Sequence, residues 1–599
     1  IHVAGEGRTV MSLPVTSQWL TAEVAKFTRF PVQSGSPLLA APSAQRHLSA
    51  QVHGLSVVNW MREGKIAGVY GSFLGFRNNK TSSVKPTVIA EACAKRGYET
   101  KFGAPDMSRV PWYNALHDLV DPVLKLDSDL LRKCADAYAA DIIKAIPDEI
   151  KKTLHVLDME STINGAPGVA YIDAMKRNTS AGCPWKKSKK YFFKPAAPRG
   201  NLQDPVDVDP EIMDRVEMMR VQYKKGKRCM PVFNGCAKDE PLKFKKIEGK
   251  KTRIFTGSPV DFSIIMRQYL LCTARLFQNN RFVCESAPGT NAHSKEWQEI
   301  REYLVQHGLE QMIAGDYAAF DKRMSPVVIL MAFRVLISLC IFSGNYSDED
   351  IQILHGIAED IAFPLIDFNG DLLEILGSNP SGHVLTVIIN CIANCIYMRY
   401  VFAKLAKKSG ASTDDVIMLR FFKKLVALIT YGDDNAMGVS KRCPWFNHTA
   451  IQQELALAGI TYTMADKEAE SVPYIHIDEV SFLKRFWRWD EDLEAYVCPL
   501  EEGSIEKTLM VCVASDTITP EEQAVESLQA CCTEYFWFGR KVFEAKRQMM
   551  IEVARESGLE DLLAAKPLPT WQKLADRYNG KENADEPTLI GKIVRGLLQ

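Results

Sequence analysis

An excess of charge of one sign is what this sequence lacks: 73 Lys and Arg are offset by 73 Asp and Glu. That balance argues against a simple nucleic-acid coating protein, whose affinity rests on surplus positive charge. The 15 cysteines include no C-x-x-C pair and no regular spacing. A disulfide scaffold and a zinc site of the usual spacing are therefore not expected. The thiols read as reduced, as in a cytosolic compartment. Cys391 and Cys395, four apart on a helical pattern, read as small buried residues rather than shared metal ligands. The most apolar stretch without charge, Val384 to Met398, runs for fifteen residues and carries Asn390 and Asn394. A membrane span needs about 20 apolar residues, so a buried helix is expected there and no transmembrane segment. There is no internal repeat. No secretory or transit segment opens the chain, and a first residue of Ile1 rather than Met leads us to expect a piece of something longer.

What is present is an ordinary globular composition, 46% apolar and 24% charged, on a chain long enough for several lobes. Charge is clustered although its sum is zero. Between Lys224 and Arg253 there are eleven Lys/Arg against three Asp/Glu. Lys186, Lys187, Lys189, Lys190 and Lys194 are interleaved with Trp185, Tyr191, Phe192 and Phe193. Such clusters fit either an electropositive channel for a polyanion or a solvated face. Residues 34–45 have the composition of a linker. Periodicity predicts helices over Ser128–Ile146, Pro210–Lys225, about 382–400, Pro520–Glu534 and Phe536–Glu556. It predicts strands over Gln311–Gly315, Phe363–Phe368, Leu425–Tyr431 and Asn435–Val439. The fold class is α+β, a central core with long additions on both sides.

Three motifs carry chemistry. Tyr431-Gly432-Asp433-Asp434-Asn435, between an apolar run and Ala-Met-Gly-Val, reads as a β-hairpin tip. Gly315-Asp316-Tyr317-Ala318-Ala319-Phe320-Asp321 places one carboxylate at the end of an apolar strand and another five residues on. Carboxylates from separate strands can hold two Mg²⁺ ions about 4 Å apart, a clamp suited to in-line phosphoryl transfer. Asp316 and Asp433 are the principal expected ligands and Asp434 a supporting one, whereas Asp321 is placed to accept a bond from a ribose hydroxyl. In Ser381-Gly382-His383-Val384-Leu385-Thr386-Val387-Ile388-Ile389-Asn390, glycine allows close backbone approach before a helix begins. Thr386 and Asn390 share a face of that helix, either as a ribose reader or as satisfied core polar residues.

The order D-x₄-D, S-G-x₃-T-x₃-N, Y-G-D-D over about 120 residues resembles the palm of viral RNA-dependent RNA polymerases of the picornavirus-like group (dicistrovirus, iflavirus and marnavirus types). Thr179-Ser180-Ala181-Gly182-Cys183-Pro184 looks like that family's template-entry loop, implying RNA contacts at Thr179, Ser180 and Gly182. Lys238-Asp239-Glu240 and Lys251-Thr252-Arg253 look like its basic fingers element, implying that Lys238, Lys251 and Arg253 cradle the triphosphate. Ala465-Asp466-Lys467 resembles the segment whose lysine protonates the departing pyrophosphate. Phe482-Leu483-Lys484-Arg485-Phe486 resembles the hairpin that grips the primer, implying Lys484 and Arg485. Asp321, Ser381, Gly382, Thr386 and Asn390 would sense the nucleotide and its 2′-hydroxyl.

The resemblance implies a right-hand polymerase. Residues 34–274 and 364–379 would form the fingers, 275–363 and 380–493 the palm, and 494–599 the thumb. Mg²⁺, or Mn²⁺ in its place, is the expected cofactor. RNA template and primer, nucleoside triphosphates, a protein primer and viral replication proteins are the expected partners. The expected setting is the host cytoplasm, at membrane-associated replication complexes. His2-Val3-Ala4-Gly5 resembles the end of the chymotrypsin-like cysteine proteases that precede such polymerases. Residues 1–33 would then be a protease remnant without activity, with Gln33-Ser34 the candidate cleavage bond ahead of Gln18 and Gln45. The rival readings are a reverse transcriptase, an idle RNA-binding subunit and a non-catalytic polyprotein precursor.

Overall fold

A computed structural model describes residues 81–120 and 126–581, together with 2–3, 9–10, 28–29, 48–49 and 66–73. His2–Val3 pairs with Thr9–Val10. Ala4, Gly5, the linker 34–45 and the cleavage candidates at Gln18, Gln33-Ser34 and Gln45 lie outside the described residues.

The centre is a four-stranded antiparallel sheet in the order Val426–Tyr431, Asp434–Val439, Met312–Tyr317, Tyr462–Met464. Its strands are apolar and buried on both faces, as a sheet covered on both sides must be. The alternation of side chains along a strand sorts them between two cores. Ile313, Tyr317, Leu428, Met437 and Tyr462 face one cluster, which includes the helices Pro326–Ser343 and Thr386–Lys408. Met312, Ala314, Ile429 and Ala436 face the other, with Trp297 and the C-terminal helices.

A second, six-stranded sheet runs Leu48–Ser49, Ile66–Phe73, Asp371–Ile375, Leu365–Phe368, Val232–Ala237, Ile254–Gly257. The hairpin Leu365–Ile375 thus joins strands more than a hundred residues earlier, through a parallel pairing of Leu365–Phe368 with Val232–Ala237. Gly257 bridges to Gly382, tying this sheet to the loop that precedes Thr386–Lys408. A third contact closes the molecule. Val84–Pro86 pairs with Val511–Val513, and the Tyr98 and Tyr535 hydroxyls meet at 2.7 Å. Lys101 reaches Glu506 at 3.0 Å.

Predicted helices start where their caps lie. Asp127, Asp209 and Thr519 each accept a bond from a first-turn amide, and Pro210 and Pro520 follow directly as the first helical residues. The helix expected from Phe536 is interrupted. Gly539 sits at φ +99°, so Phe536–Phe538 is a 3₁₀ turn and the α-helix begins at Arg540. Periodicity does not single out Pro326–Ser343, whose apolar run is broken by Arg334 and Ser338, yet 13 of its 18 residues are buried. Both this helix and Thr386–Lys408 are long and apolar enough to cross a membrane, and both are packed mostly inside the fold. Thirteen of the cysteines are buried, Cys391 and Cys395 among them.

Candidate active site

The strand Val426–Tyr431 turns through Gly432 and Asp433 into Asp434–Val439, with Tyr431 paired to Asp434. Gly432 takes φ +62°, a conformation glycine adopts without steric cost. The neighbouring strand Met312–Tyr317 carries Asp316 as its penultimate residue. Carboxylate oxygens of Asp316, Asp433 and Asp434 consequently lie within 4.8 Å of one another. Burial, and then the charge of Asp316 beside it, pushes Asp433 up to about 7. Burial, then Asp433 and Asp316, pushes Asp434 up to about 8. Three crowded oxygen donors are a fit for hard divalent cations such as Mg²⁺ or Mn²⁺. Lys467 Nζ stands 2.6 Å from Asp316 Oδ2, so a cation already answers the cluster from its exposed side.

Asp321 enters by a different route. Ala319 takes a left-handed conformation, φ +50°, which turns the chain from the strand into the short helix Phe320–Arg323. There Asp321 accepts a hydrogen bond from Asn390 Nδ2. Burial raises its pKa, while the Asn390 bond and the Arg253 charge pull the other way. Asn390 Oδ1 accepts from Asn379 Nδ2 at 2.8 Å, and Asn379 Oδ1 meets His383 Nε2 at 2.8 Å. Thr386 is less available than its spacing suggested. Its hydroxyl donates toward the Pro380 and His383 carbonyls and accepts from the His383 amide, which closes the loop ahead of the helix. Ser381 and Thr256 bond reciprocally, each hydroxyl accepting from the other's amide at 3.1 Å. A Cβ on Gly382 would lie 2.5 Å from the Thr256 carbonyl oxygen, so only glycine permits this approach.

The basic elements converge on the same side. Lys238 and Arg253 share Glu240, at 3.1 and 3.3 Å, and Lys251 is exposed beside them. Asp239 accepts from Ser82 Oγ and Ser83 N, pinning the segment before Val84–Pro86. Sequence reasoning missed Lys246 and Lys507. Burial and then nearby cations, Lys467 and Arg253 for Lys246 and Lys484 for Lys507, hold both amines below their ordinary range. The neighbouring cations deepen what burial begins.

The loop around Gly182 is built rather than merely flexible. Gly182 takes φ +76°, and a Cβ there would meet Pro259 Cα at 2.8 Å. Thr179 and Ser180 are exposed, with Thr179 Oγ1 accepting from Lys189 Nζ at 2.9 Å. The aromatic residues between the nearby lysines do not form one surface: Phe192 and Phe193 are core, and Tyr191 is exposed. The hairpin at 482–486 turns through Leu483 and Lys484, both left-handed at φ +54° and +59°, and Lys484 at its tip pairs with Glu501 at 3.1 Å. Arg485 departs from expectation. It is 2% exposed and makes two 2.8 Å bonds to Glu534, itself buried. A guanidinium locked in that pair anchors the hairpin from below and does not face solvent.

An α+β fold that sets crowded carboxylates on adjacent strands of a covered sheet, opposite a cationic face, is that of a right-hand nucleic-acid polymerase. Residues 94–553 match the profile of the viral RNA-dependent RNA polymerase family, and the chain belongs to that family. The replicase polyprotein of cricket paralysis virus is 26% identical over 85% of the chain and 29% of its own length. That of acute bee paralysis virus is 30% identical over 60% of the chain and 19% of its own length. The RNA1 polyprotein of Satsuma dwarf virus is 30% identical over 71% of the chain and 20% of its own length. The chain therefore spans less than a third of these polyproteins. In structure it is similar to the Sicinivirus 3Dpol RNA dependent RNA polymerase, with a TM-score of 0.68 and 18% identity, covering 85% of this chain and 98% of that one. The reverse-transcriptase and idle-subunit readings are not favoured by these likenesses.

Proposed function

We propose that this site adds a nucleoside monophosphate from a triphosphate to an RNA 3′-hydroxyl on an RNA template, releasing pyrophosphate. The observation that carries the reading is the carboxylate cluster: Asp316, Asp433 and Asp434 within 4.8 Å, on adjacent strands. These three would hold Mg²⁺, or Mn²⁺ in its place. When bound, the metal supplies Lewis-acid activation of the hydroxyl and charge neutralisation at the departing phosphates. The chain's own residues do the rest. Lys238, Lys251 and Arg253 bind and orient the triphosphate through fixed positive charge. Lys467, now held by Asp316, is placed to give its proton to the pyrophosphate. Asp321, held by Asn390, accepts from the ribose 2′-hydroxyl, and Ser381, Gly382 and Thr386 shape the loop beside it. A site built to bond a hydroxyl can reject the analogue lacking it by about 10⁴-fold, because its polar groups are otherwise left unpaired. Thr179, Ser180 and Gly182 guide the template, and Lys484 meets the primer backbone.

The same reading divides the hand as the sequence suggested, with fingers at 34–274 and 364–379, palm at 275–363 and 380–493, and thumb at 494–599. It places the work in the host cytoplasm, at membrane-associated replication complexes, with a protein primer and other replication proteins as partners. Residues 1–33 remain, on this reading, a protease remnant released at Gln33-Ser34. Primer extension by the full chain on an RNA template tests the activity, with Mg²⁺ and either ribo- or deoxyribonucleotides. Extension with ribonucleotides alone, abolished in Asp433→Ala, is the expected result. Extension with deoxyribonucleotides would replace this reading with a reverse transcriptase.

A further inference from the structure

The helix Thr386–Lys408 carries a second asparagine one turn beyond Asn390. Asn394 is fully buried, and both ends of its amide are engaged. Nδ2 faces three main-chain carbonyl oxygens, those of Gly432 at 3.0 Å, Asp433 at 3.2 Å and Asp434 at 3.4 Å. Oδ1 accepts from the Tyr317 hydroxyl at 3.1 Å and from Asn435 Nδ2 at 3.0 Å. Tyr462 in turn donates to Asn435 Oδ1 at 2.8 Å. The amide has one workable orientation, since the reverse would set its oxygen against three carbonyl oxygens. One turn back along the helix, Cys391 Sγ accepts from the Gly432 amide at 3.2 Å.

The acidic turn needs such a hold. Carboxylate oxygens of Asp433, Asp434 and Asp316 lie within 4.8 Å of one another, and like charges that close favour an opened turn. Gly432 has no side chain to resist. Beyond the hairpin's own Tyr431–Asp434 pairing, the helix holds the turn through main-chain atoms rather than through the aspartate side chains.

We propose that Asn394 is a positioning residue for the metal site: by bonding the carbonyls of 432–434 it fixes Asp433 and Asp434 opposite Asp316. The proposal rests on reading those carboxylates as metal ligands. Because Asn390 and Asn394 lie four residues apart on one helix, the same rigid element sets the ribose side through Asp321 and the metal side through the turn. The two functions are separable by mutation.

The test measures Mn²⁺ binding to the full chain, by the electron paramagnetic resonance signal of the free ion, alongside primer extension with ribo- and deoxyribonucleotides. Asn394→Asp keeps the shape but turns a carboxylate oxygen toward the three carbonyls. Its Mn²⁺ binding is expected to weaken about tenfold or more, the usual cost of losing an outer partner of a metal site. Its preference for ribonucleotides should stay within about twofold of the parent, as for an independent site. Asn390→Ala is expected to do the reverse. Tyr317→Phe removes only one of the two donors that orient the amide, so it folds even where Asn394→Asp does not, and about a fivefold weakening is expected from one lost hydrogen bond. Melting temperature and RNA binding establish folding. Unchanged Mn²⁺ binding in a folded Asn394→Asp, or in Tyr317→Phe where the first variant fails to fold, overturns the proposal. Undiminished Mn²⁺ binding and extension by Asp433→Ala would overturn the metal-site reading itself.

Discussion

A carboxyl group buried beside two others gives up its proton reluctantly, and the acidic cluster makes that reluctance measurable. Burial first, and neighbouring carboxylates second, raise Asp433 to about 7 and Asp434 to about 8. Unfolded, both titrate near ~3.9. Between those values the native state binds more protons than the unfolded one, so these two groups lower stability as pH rises from ~4 toward ~8. A bound cation must displace the same protons. Added Mg²⁺ is therefore expected to raise the melting temperature more at pH 8 than at pH 6, and Asp434→Asn should stabilise the metal-free protein more at pH 8 than at pH 5. Thermal unfolding across that range decides it; a Mg²⁺ effect indifferent to pH would rule out this proton linkage. At this scale the sequence was legible where chemistry is unusual. Aspartates at a hairpin tip, answered by another after an apolar strand, were readable as one cluster, and the fold brings their oxygens within 4.8 Å of one another. Asn394 was visible only as a flaw in an apolar run, and Tyr317, Asn435 and Tyr462 look like ordinary sheet residues until the three are brought together. Arg485 misled because a basic residue beside an exposed lysine gives no sign of which way it points.

Elements were read well where a cap comes with a periodic polar face and poorly where most of the helix is apolar and buried. Thr519, Pro520 and Glu522 mark a helix start unambiguously, whereas Pro326–Ser343 has no polar face from which to read a period. Gly539 broke a helix because a residue at φ +99° cannot continue one. Between elements, Arg485 of the 482–486 hairpin and Glu534 of the helix Pro520–Tyr535 form a buried joint. Burial raises the Glu534 pKa, but Arg485 and then His293 override it and hold the carboxyl well below its usual range. A depressed carboxylate adds stability above its unfolded pKa, so this joint's contribution is expected to decline below about 4 and to vanish only as pH falls through the much lower native pKa. Glu534→Gln strands a buried guanidinium, at a cost of about 3–5 kcal/mol. Chemical denaturation at pH 7 checks the magnitude, and a variant within about 1 kcal/mol of the parent would show the pair to be effectively solvated.

At the scale of the whole molecule, local pattern gives no guide: three-residue strands such as Val84–Pro86 and Val511–Val513 carry no readable period, and nothing nearby in the chain says that they pair. Their pairing, with Thr87 bonded to Leu509 and Arg96 to Glu556, joins the early chain to the late chain. On the proposed function, such a clasp would help to retain a threaded RNA. Val84→Asp, which puts a charge into a strand contact now 7% exposed, is expected to shorten extension products while leaving Mn²⁺ binding within about twofold. Product lengths from a single binding event, measured with a heparin trap, test this, and unchanged lengths in a folded variant would sink it. The clasp also sets a clock. Thr87 and Leu509 are 422 positions apart, and at about 5–20 residues per second a ribosome needs roughly 20–80 s to travel between them. For that interval the early strand waits on the ribosome with its edge unmatched, and the clasp can close only after Leu509 has been made.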